Sequence, residues 1–313
     1  MFSDFWCITR GSFLKEVFTK KLRGIVPPIG TPLTSDERVE ERGMRKLVNH
    51  LLKHGVNAVF VNGSMGAFAL LSDHEQMRAV EVVIDEVSGR VPVMAGAADT
   101  STRRVVEKAK RMVALGADYL SILPPYYFAL DAESVTKFYL DVAEAISHPI
   151  FIYDNPYTTK HRIPLESIYR LGEVPHIVGL KESDQDCERW QSLVRHFKDD
   201  PTFSVLIGTE GLIKVALLMG ADGVVAGLHN VAPALGVGLY HAVQSGRLEE
   251  ADRLQQKLID LFGIFKCGAG IWGGFEVALQ FLDICEKVTA GPYDSPVSQP
   301  AREKVKAILR ATL

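Results

Sequence analysis

The sequence has few cysteines, no long apolar run and no large surplus of either charge. Its four cysteines, Cys7, Cys187, Cys267 and Cys285, lie far apart in 313 residues without CxxC spacing. We therefore expect reduced, mostly buried thiols of a cytoplasmic protein. No apolar run approaches the roughly 20 residues that a transmembrane helix needs. The 35 basic and 38 acidic residues give a net charge of −3, which indicates no nucleic-acid partner and no membrane partner.

The first 22 residues form an amphipathic segment. They have neither a continuous apolar core nor a small-residue cleavage site, so a signal peptide is not predicted. The pattern favours an extension helix packed on the body of the protein, with a targeting role as the alternative. Apolar side chains recur at helical spacing in this segment at Phe13, Leu14, Val17, Phe18 and Leu22.

Short β-branched runs alternate with amphipathic helix patterns along most of the chain. Eight such units predict a parallel sheet closed into a TIM (β/α)8 barrel over residues 23–245. A doubly wound open sheet is the alternative, but no GxGxxG follows the first run. Residues 246–313 are predicted to form a C-terminal helical segment with helices at Glu249–Phe262, Phe275–Val288 and Gln299–Leu313. The predicted strands are Gly24–Pro28, Ala58–Asn62, Pro92–Ala95, Tyr119–Leu123, Ile150–Tyr153, Ile177–Leu180, Ser204–Ile207 and Gly223–Ala226.

Lys181 follows the apolar run of the sixth predicted strand. Catalytic groups of such barrels gather where the strands end, so its amine is expected at an apolar barrel mouth. Burial there disfavours the ammonium form, and a neutral amine can attack a carbonyl to give an iminium that acts as an electron sink. The alternative is a structural ion pair with Glu182 or Asp184.

Two hydroxyl residues end neighbouring predicted strands. Tyr153 ends the fifth strand, where a phenol can transfer the protons that Schiff-base formation requires. Ser64 lies in the loop Gly63-Ser64-Met65-Gly66, whose amides can point at a carboxylate. The alternatives are a core-edge aromatic for Tyr153 and a simple tight turn for the loop.

The sequence also contains residues that could form a metal site or a phosphate site. A metal site could use Asp154, Glu182, Glu210 and His229, but no close ligand spacing links them. A phosphate site could use the glycines of segment 220–227, at the position where many barrels bind phosphate.

Taken together, the strand-end segments resemble the dihydrodipicolinate synthase and N-acetylneuraminate lyase family of class I aldolases. The resemblance runs from about Leu22 to the C-terminus and depends on the order and spacing of several short motifs. These are Gly30-Thr31-Pro32-Leu33, Gly63-Ser64-Met65-Gly66, Pro125-Tyr126-Tyr127, Tyr153-Asp154-Asn155-Pro156, Gly179-Leu180-Lys181-Glu182-Ser183 and the segment Gly223–Asn230.

The resemblance implies a homotetrameric TIM barrel that uses no metal or organic cofactor. It makes Lys181 the Schiff-base nucleophile and Tyr153 the proton-transfer phenol. Ser64 would then join Tyr153 to a tyrosine of the neighbouring subunit, a role that Tyr127 matches.

The resemblance also implies a pyruvate pocket. The amides of Ser64 and Met65 would hold the pyruvate carboxylate, and the Val225 carbonyl would line the pocket. The family commonly has a hydroxyl residue in place of Met65 and an acid in place of Ala67. The lost side-chain hydrogen bond would weaken pyruvate binding by about 1 kcal/mol.

Substrate choice depends on three other positions. Synthases of this family carry an arginine where Thr158 stands, so lysine biosynthesis is disfavoured. Ser183 and Glu210 can bind sugar-like hydroxyls, which favours aldol cleavage of a 2-keto-3-deoxy or sialic-acid-like sugar acid. The alternatives are dihydrodipicolinate synthesis, dehydration of a 2-keto-3-deoxy acid and a non-catalytic barrel that only binds 2-oxo acids.

Overall fold

The computed structural model describes residues 20–268 and 270–313, and eight parallel strands form its centre. The strands pair in the order β1-β8-β7-β6-β5-β4-β3-β2. Pro28, just beyond β1, pairs in parallel with Phe60 of β2, so the sheet closes into the predicted barrel. The strands are β1 (Gly24–Ile25), β2 (Val59–Val61), β3 (Val93–Gly96), β4 (Tyr119–Ile122), β5 (Ile150–Asp154), β6 (Ile177–Glu182), β7 (Ser204–Ile207) and β8 (Gly223–Val224).

Helices follow the strands and then continue beyond the barrel. In barrel order they are α1 (Glu41–Lys53), α2 (Asp73–Val87), α3 (Thr102–Leu115), α4 (Ala132–Ile146), α5 (Pro156–Thr159), α6 (Leu165–Gly172), α7 (Cys187–His196), α8 (Ile213–Leu218) and α9 (Pro233–Gln244). The C-terminal helices are α10 (Leu248–Leu261), α11 (Trp272–Phe281) and α12 (Gln299–Thr312).

Local sequence explains where many helices begin and end. The hydroxyl of Ser101 and the carboxylate of Asp186 accept N–H groups at the starts of α3 and α7, which satisfies donors that the helix leaves free. Gly116 follows α3 with φ of 108°, a left-handed conformation that glycine adopts without strain. These signals are readable in the sequence, and the barrel helices lie between the strands as predicted.

Two local expectations differ from the structure. The sequence Ser72-Asp73-His74-Glu75 is typical of a capping box, in which Ser72 and Glu75 would each accept a backbone N–H of the other residue. Ser72 caps α2 by accepting the N–H of Glu75, but the Glu75 carboxylate accepts the N–H of Val39 at 2.7 Å instead. The helix predicted to reach Val288 ends at Phe281. Its Glu276 carboxylate accepts the N–H of Val288 at 3.0 Å, because the chain turns back along the helix.

The barrel interior is filled by side chains up to the level of the functional groups. A buried cluster there includes Phe60, Met94, Phe151, Leu206 and Val225, and Tyr153 lies at its upper edge. No helix in the described part of the chain is both long and apolar enough to cross a membrane. The extension helix predicted for residues 1–22 falls outside the described residues except at its last three positions.

Candidate active site

Strands β5 and β6 place Tyr153 and Lys181 side by side. The two residues are direct partners in the parallel register, so both side chains project from the same face into the barrel mouth. The Lys181 amine lies 3.9 Å from the centroid of the Tyr153 ring and 5.1 Å from that of Phe60. Only 4% of Lys181 is exposed, so its amine emerges from an aromatic wall.

The carboxylates next to Lys181 bind arginines instead of the lysine. Glu182 binds Arg189, and Asp184 binds Arg162. Among residues 20–268 and 270–313, Lys181 has no carboxylate within ion-pair distance. The structural ion pair considered from the sequence is therefore wrong, and the amine is left to face the cavity.

The Tyr153 hydroxyl is held from two sides. It lies 3.1 Å from the Ser64 hydroxyl and accepts an N–H of Asn155 at 3.1 Å. Burial acts to raise the pKa of Tyr153, but the charge of Lys181 and the hydrogen bond with Ser64 outweigh it, so the pKa lies below the usual value for a phenol. A phenol of this kind can both give and take a proton.

Ser64 and Met65 begin a short 3₁₀ turn over Ser64–Gly66. The N–H groups of Gly66 and Ala67 donate to the carbonyls of Gly63 and Ser64 within the turn. The N–H groups of Ser64 and Met65 come before these two and are not used by the hydrogen bonds of the turn. Ala67 has a φ of 52°, an unusual conformation for a residue with a Cβ. The turn is the part of the site suited to a carboxylate.

A cavity of about 480 Å³ opens above Lys181. It brings together seven of the nine predicted site residues, namely Lys181, Tyr153, Ser64, Met65, Ser183, Glu210 and Val225. Gln185 and Thr209 add polar groups, and their side chains bind each other at 3.1 Å. The lining of the cavity thus combines aromatic rings with hydrogen-bonding groups.

Glu210 is the acid of this cavity. Burial raises its pKa to about 7, although the N–H groups of Gly227 and Leu228 and the charge of Lys181 act in the other direction. The Gly227 N–H donates to the carboxylate at 2.6 Å. Of the glycine amides considered for a phosphate site, that of Gly227 therefore already binds a protein carboxylate.

Three of the four residues considered as metal ligands are bound to other groups of the protein. Asp154 and Glu182 both bind Arg189, and Glu210 binds Gly227. His229 is fully buried, and burial lowers its pKa to about 3. No group of three such ligands converges within the described ranges.

Thr158 and Tyr127 lie outside this cavity. Thr158 lines a neighbouring cavity of about 240 Å³, which also touches Ser64 and has the aromatic walls Phe68, Tyr126, Trp272 and Tyr293. Tyr127 is 77% exposed, so within one chain it does not reach Ser64.

Sequence reasoning missed several residues of the site. Asn155 directly follows β5 and Gln185 lies in the loop after β6, and these positions near strand ends are a signal that could have found them. Ile259 and Phe262 line the cavity from the C-terminal segment. They carry no local signal, because an apolar residue near the end of an amphipathic helix is usually a core residue.

Comparison with known proteins agrees with this geometry. The chain is 36% identical over 243 residues to the 4-hydroxy-tetrahydrodipicolinate synthase of Methanopyrus kandleri, covering 77% of this chain and 80% of that protein. It is 28% identical to the probable 2-dehydro-3-deoxy-D-pentonate aldolase YjhH of Escherichia coli, covering 93% and 98%. The crystal structure of YagE from E. coli K12 in complex with pyruvate superposes with a TM-score of 0.88 at 26% identity, covering 93% and 98%.

The family model of the dihydrodipicolinate synthetase family matches residues 21–312. This match spans almost all of the chain and includes every residue of the cavity. The chain therefore belongs to the dihydrodipicolinate synthetase family, whose members include lyases and aldolases.

Proposed function

We propose that this protein is a class I lyase in which Lys181 forms a Schiff base with pyruvate or another 2-oxo acid. The observation that carries the proposal is a buried lysine amine with no ion pair in the described chain, 3.9 Å from the ring of Tyr153 and facing a cavity. A lysine kept among aromatic rings is suited to nucleophilic attack on a carbonyl.

The proposed reaction begins with attack of the Lys181 amine on the ketone carbon of the substrate. Tyr153 delivers the proton with which the carbinolamine hydroxyl leaves as water, giving the iminium. The Tyr153 phenolate then takes the proton of the C4 hydroxyl, the C3–C4 bond breaks, and its electrons pass to the iminium as the aldehyde leaves. Protonation of the enamine and hydrolysis release pyruvate and free Lys181. Because the iminium is the electron sink, this sequence requires no metal or organic cofactor.

The amides of Ser64 and Met65 are proposed to hold the carboxylate of the 2-oxo acid. The Ser64 hydroxyl lies 3.1 Å from that of Tyr153, so a carboxylate bound at this turn would lie next to the phenol that the proposed reaction uses. The pyruvate bound to YagE supports this choice of donor.

The proposed substrate is a 2-keto-3-deoxy or sialic-acid-like sugar acid. Ser183, Gln185 and Glu210 form a wall that can bind several hydroxyl groups. No lysine or arginine other than Lys181 lines the cavity among the described residues. Arg162, near in sequence to Thr158, binds Asp184 and Asp186, so it does not replace the arginine expected of a synthase. The similarity to a probable 2-dehydro-3-deoxy-D-pentonate aldolase supports the same choice of substrate.

We also propose that the protein assembles as a homotetramer. Tyr127 can complete the relay to Ser64 only from a second copy of the chain, because it is exposed in its own. The cavity of about 240 Å³ beside Ser64 is lined by aromatic side chains. The ring of a tyrosine from a second copy would pack against them.

The experiment that tests the substrate is a panel of 2-oxo acids assayed for pyruvate release. We expect release from 2-keto-3-deoxypentonate, 2-keto-3-deoxyhexonate or N-acetylneuraminate. Glu210→Gln should raise KM for the active acid by about 10-fold, since a hydrogen bond to a charged group contributes about 1.5 kcal/mol. Glu249→Gln, on the exposed side of α10, is the matched control.

Other outcomes would replace the proposal. Pyruvate consumption with aspartate semialdehyde alone would make the protein a synthase. Loss of the keto acid without pyruvate release would make it a dehydratase. No turnover with any substrate, by a folded protein, would leave a binding barrel.

A further inference from the structure

The face of β5 and β6 behind the candidate active site carries a buried ion cluster that the proposed chemistry does not use. Asp154 and Glu182 are the next register pair after Tyr153 and Lys181. Because alternate residues of a strand point to opposite sides, these two carboxylates point away from the cavity. Both are fully buried.

Arg189 of α7 joins the two strand ends. Its Nε donates to Glu182 at 2.6 Å, and one terminal nitrogen donates to Asp154 at 2.6 Å and to the carbonyl of Ile163 at 2.7 Å. The side chain of Arg189 is only 4% exposed. One planar guanidinium therefore fixes two neighbouring strands and the loop that follows β5.

The two carboxylates also fix the loops that leave the strands. Asp154 accepts the N–H of Ile163 at 3.2 Å, and Glu182 accepts the N–H of Asp184 at 2.8 Å. The Asp154 carbonyl accepts the N–H of Ser183 at 2.9 Å. A shift of either carboxylate would therefore move the backbone next to Tyr153 or Lys181.

Stability alone does not explain this arrangement. Two buried carboxylates share one guanidinium, and one Asp154 oxygen has no hydrogen-bond partner. Buried ion clusters can often be replaced by apolar side chains without loss of stability. The planar guanidinium of Arg189, however, binds both strands at hydrogen-bond distances, and this fixes their relative position more strictly than apolar packing does.

We propose that Arg189 is a positioning residue that holds the ends of β5 and β6 so that Tyr153 stays against the Lys181 amine. The proposal rests on the proposed function, in which Tyr153 transfers protons at the carbon that Lys181 attacks. A displacement of about 1 Å in such a pair can cost about 100-fold in rate.

The test compares Arg189→Lys with Arg195→Lys, an exposed arginine on the same helix. Lysine keeps the charge but loses the fork. The first readout is the rate at which borohydride traps a pyruvate adduct. The second readout needs no substrate: it is the pH profile of Lys181 acetylation by trace acetic anhydride, followed by peptide mass spectrometry with exposed Lys110 as reference.

We expect Arg189→Lys to slow trapping by about 10- to 100-fold and to change the Lys181 acetylation profile, whereas Arg195→Lys changes neither. Wild-type values for both readouts in folded Arg189→Lys would overturn the proposal, even if its melting temperature falls. If Arg189→Lys does not fold, the uncharged triple variant Asp154→Asn, Glu182→Gln, Arg189→Met is read in its place by the same criteria.

Failure of the proposed function gives a different pattern. The wild-type protein would then trap no adduct from pyruvate or from the hydroxylated 2-oxo acids. The acetylation profiles of wild type and Arg189→Lys would still decide whether Arg189 positions Lys181.

Discussion

The ends of β5 and β6 have an inner face and an outer face that treat charge in opposite ways. The inner face holds one lysine among aromatic rings without a carboxylate partner in the described chain. The outer face, one residue further along each strand, holds two carboxylates bound by one arginine. The four residues 153, 154, 181 and 182 are all buried. Burial alone therefore does not distinguish the proposed nucleophile from the carboxylates behind it, whereas the presence of an ion-pair partner does.

The largest expected effect is the loss of activity when Lys181, on the inner face, is replaced. Lys181→Met should abolish turnover, because the nucleophile is lost. The melting temperature should stay unchanged or rise, since an apolar chain replaces a buried amine that has no ion pair with the described residues. Activity assays and thermal unfolding of the same preparation measure both. A large drop in melting temperature would show that the lysine is structural.

Tyr153→Phe should lower kcat by about 10²- to 10⁴-fold, the usual size of a proton-transfer contribution. KM should change less, because phenylalanine keeps the ring and removes only the hydroxyl that contacts Ser64 and Asn155. Steady-state kinetics on the active 2-oxo acid provide the measurement. A wild-type kcat would remove Tyr153 from the proposed mechanism.

Arg189→Met, on the outer face, should lower the stability of the folded protein. Breaking a buried ion cluster by removing one partner costs about 3–5 kcal/mol, because two carboxylates are then buried without a cation. Urea unfolding of Arg189→Met beside Arg195→Met measures the loss. A loss similar to that of the exposed control would mean that the cluster relaxes or takes up water.

The smallest expected effect is a pH dependence of stability that comes from Asp154. Burial and the neighbouring Glu182 raise the pKa of Asp154 to about 7, with Arg189 opposing them. In the unfolded chain the carboxyl ionises near pH 4, so between about pH 4 and pH 7 the folded state binds more protons, and stability falls as pH rises.

Asp154→Asn removes this titration. Its stability relative to wild type should therefore increase from pH 4 to pH 7 and level off above pH 7. Urea unfolding at a series of pH values gives the difference, with Asp141→Asn on the surface of α4 as control. A difference that is flat across this range would mean that Asp154 stays ionised.

The sequence predicts the barrel and the inner face better than it predicts the outer one. Eight apolar runs with helices between them allow few other folds, and a lysine and a tyrosine at strand ends identify the inner face. The partner of Glu182 was not predictable, since Arg189 looks like an ordinary residue of an amphipathic helix and reaches Asp154 only through the register of β5 and β6. Ile259, in α10, and Phe262, just after it, line the cavity although they lie far beyond Lys181 in the sequence, so only the folded chain shows their contribution.

The most direct test of the account is reduction with borohydride in the presence of pyruvate, followed by peptide mass spectrometry. The account predicts a single adduct on Lys181, with none in Lys181→Met and none on the exposed lysines under the same conditions. Absence of an adduct on Lys181 from pyruvate and from the hydroxylated 2-oxo acids, in folded protein, would contradict the claim that the Lys181 amine is the nucleophile.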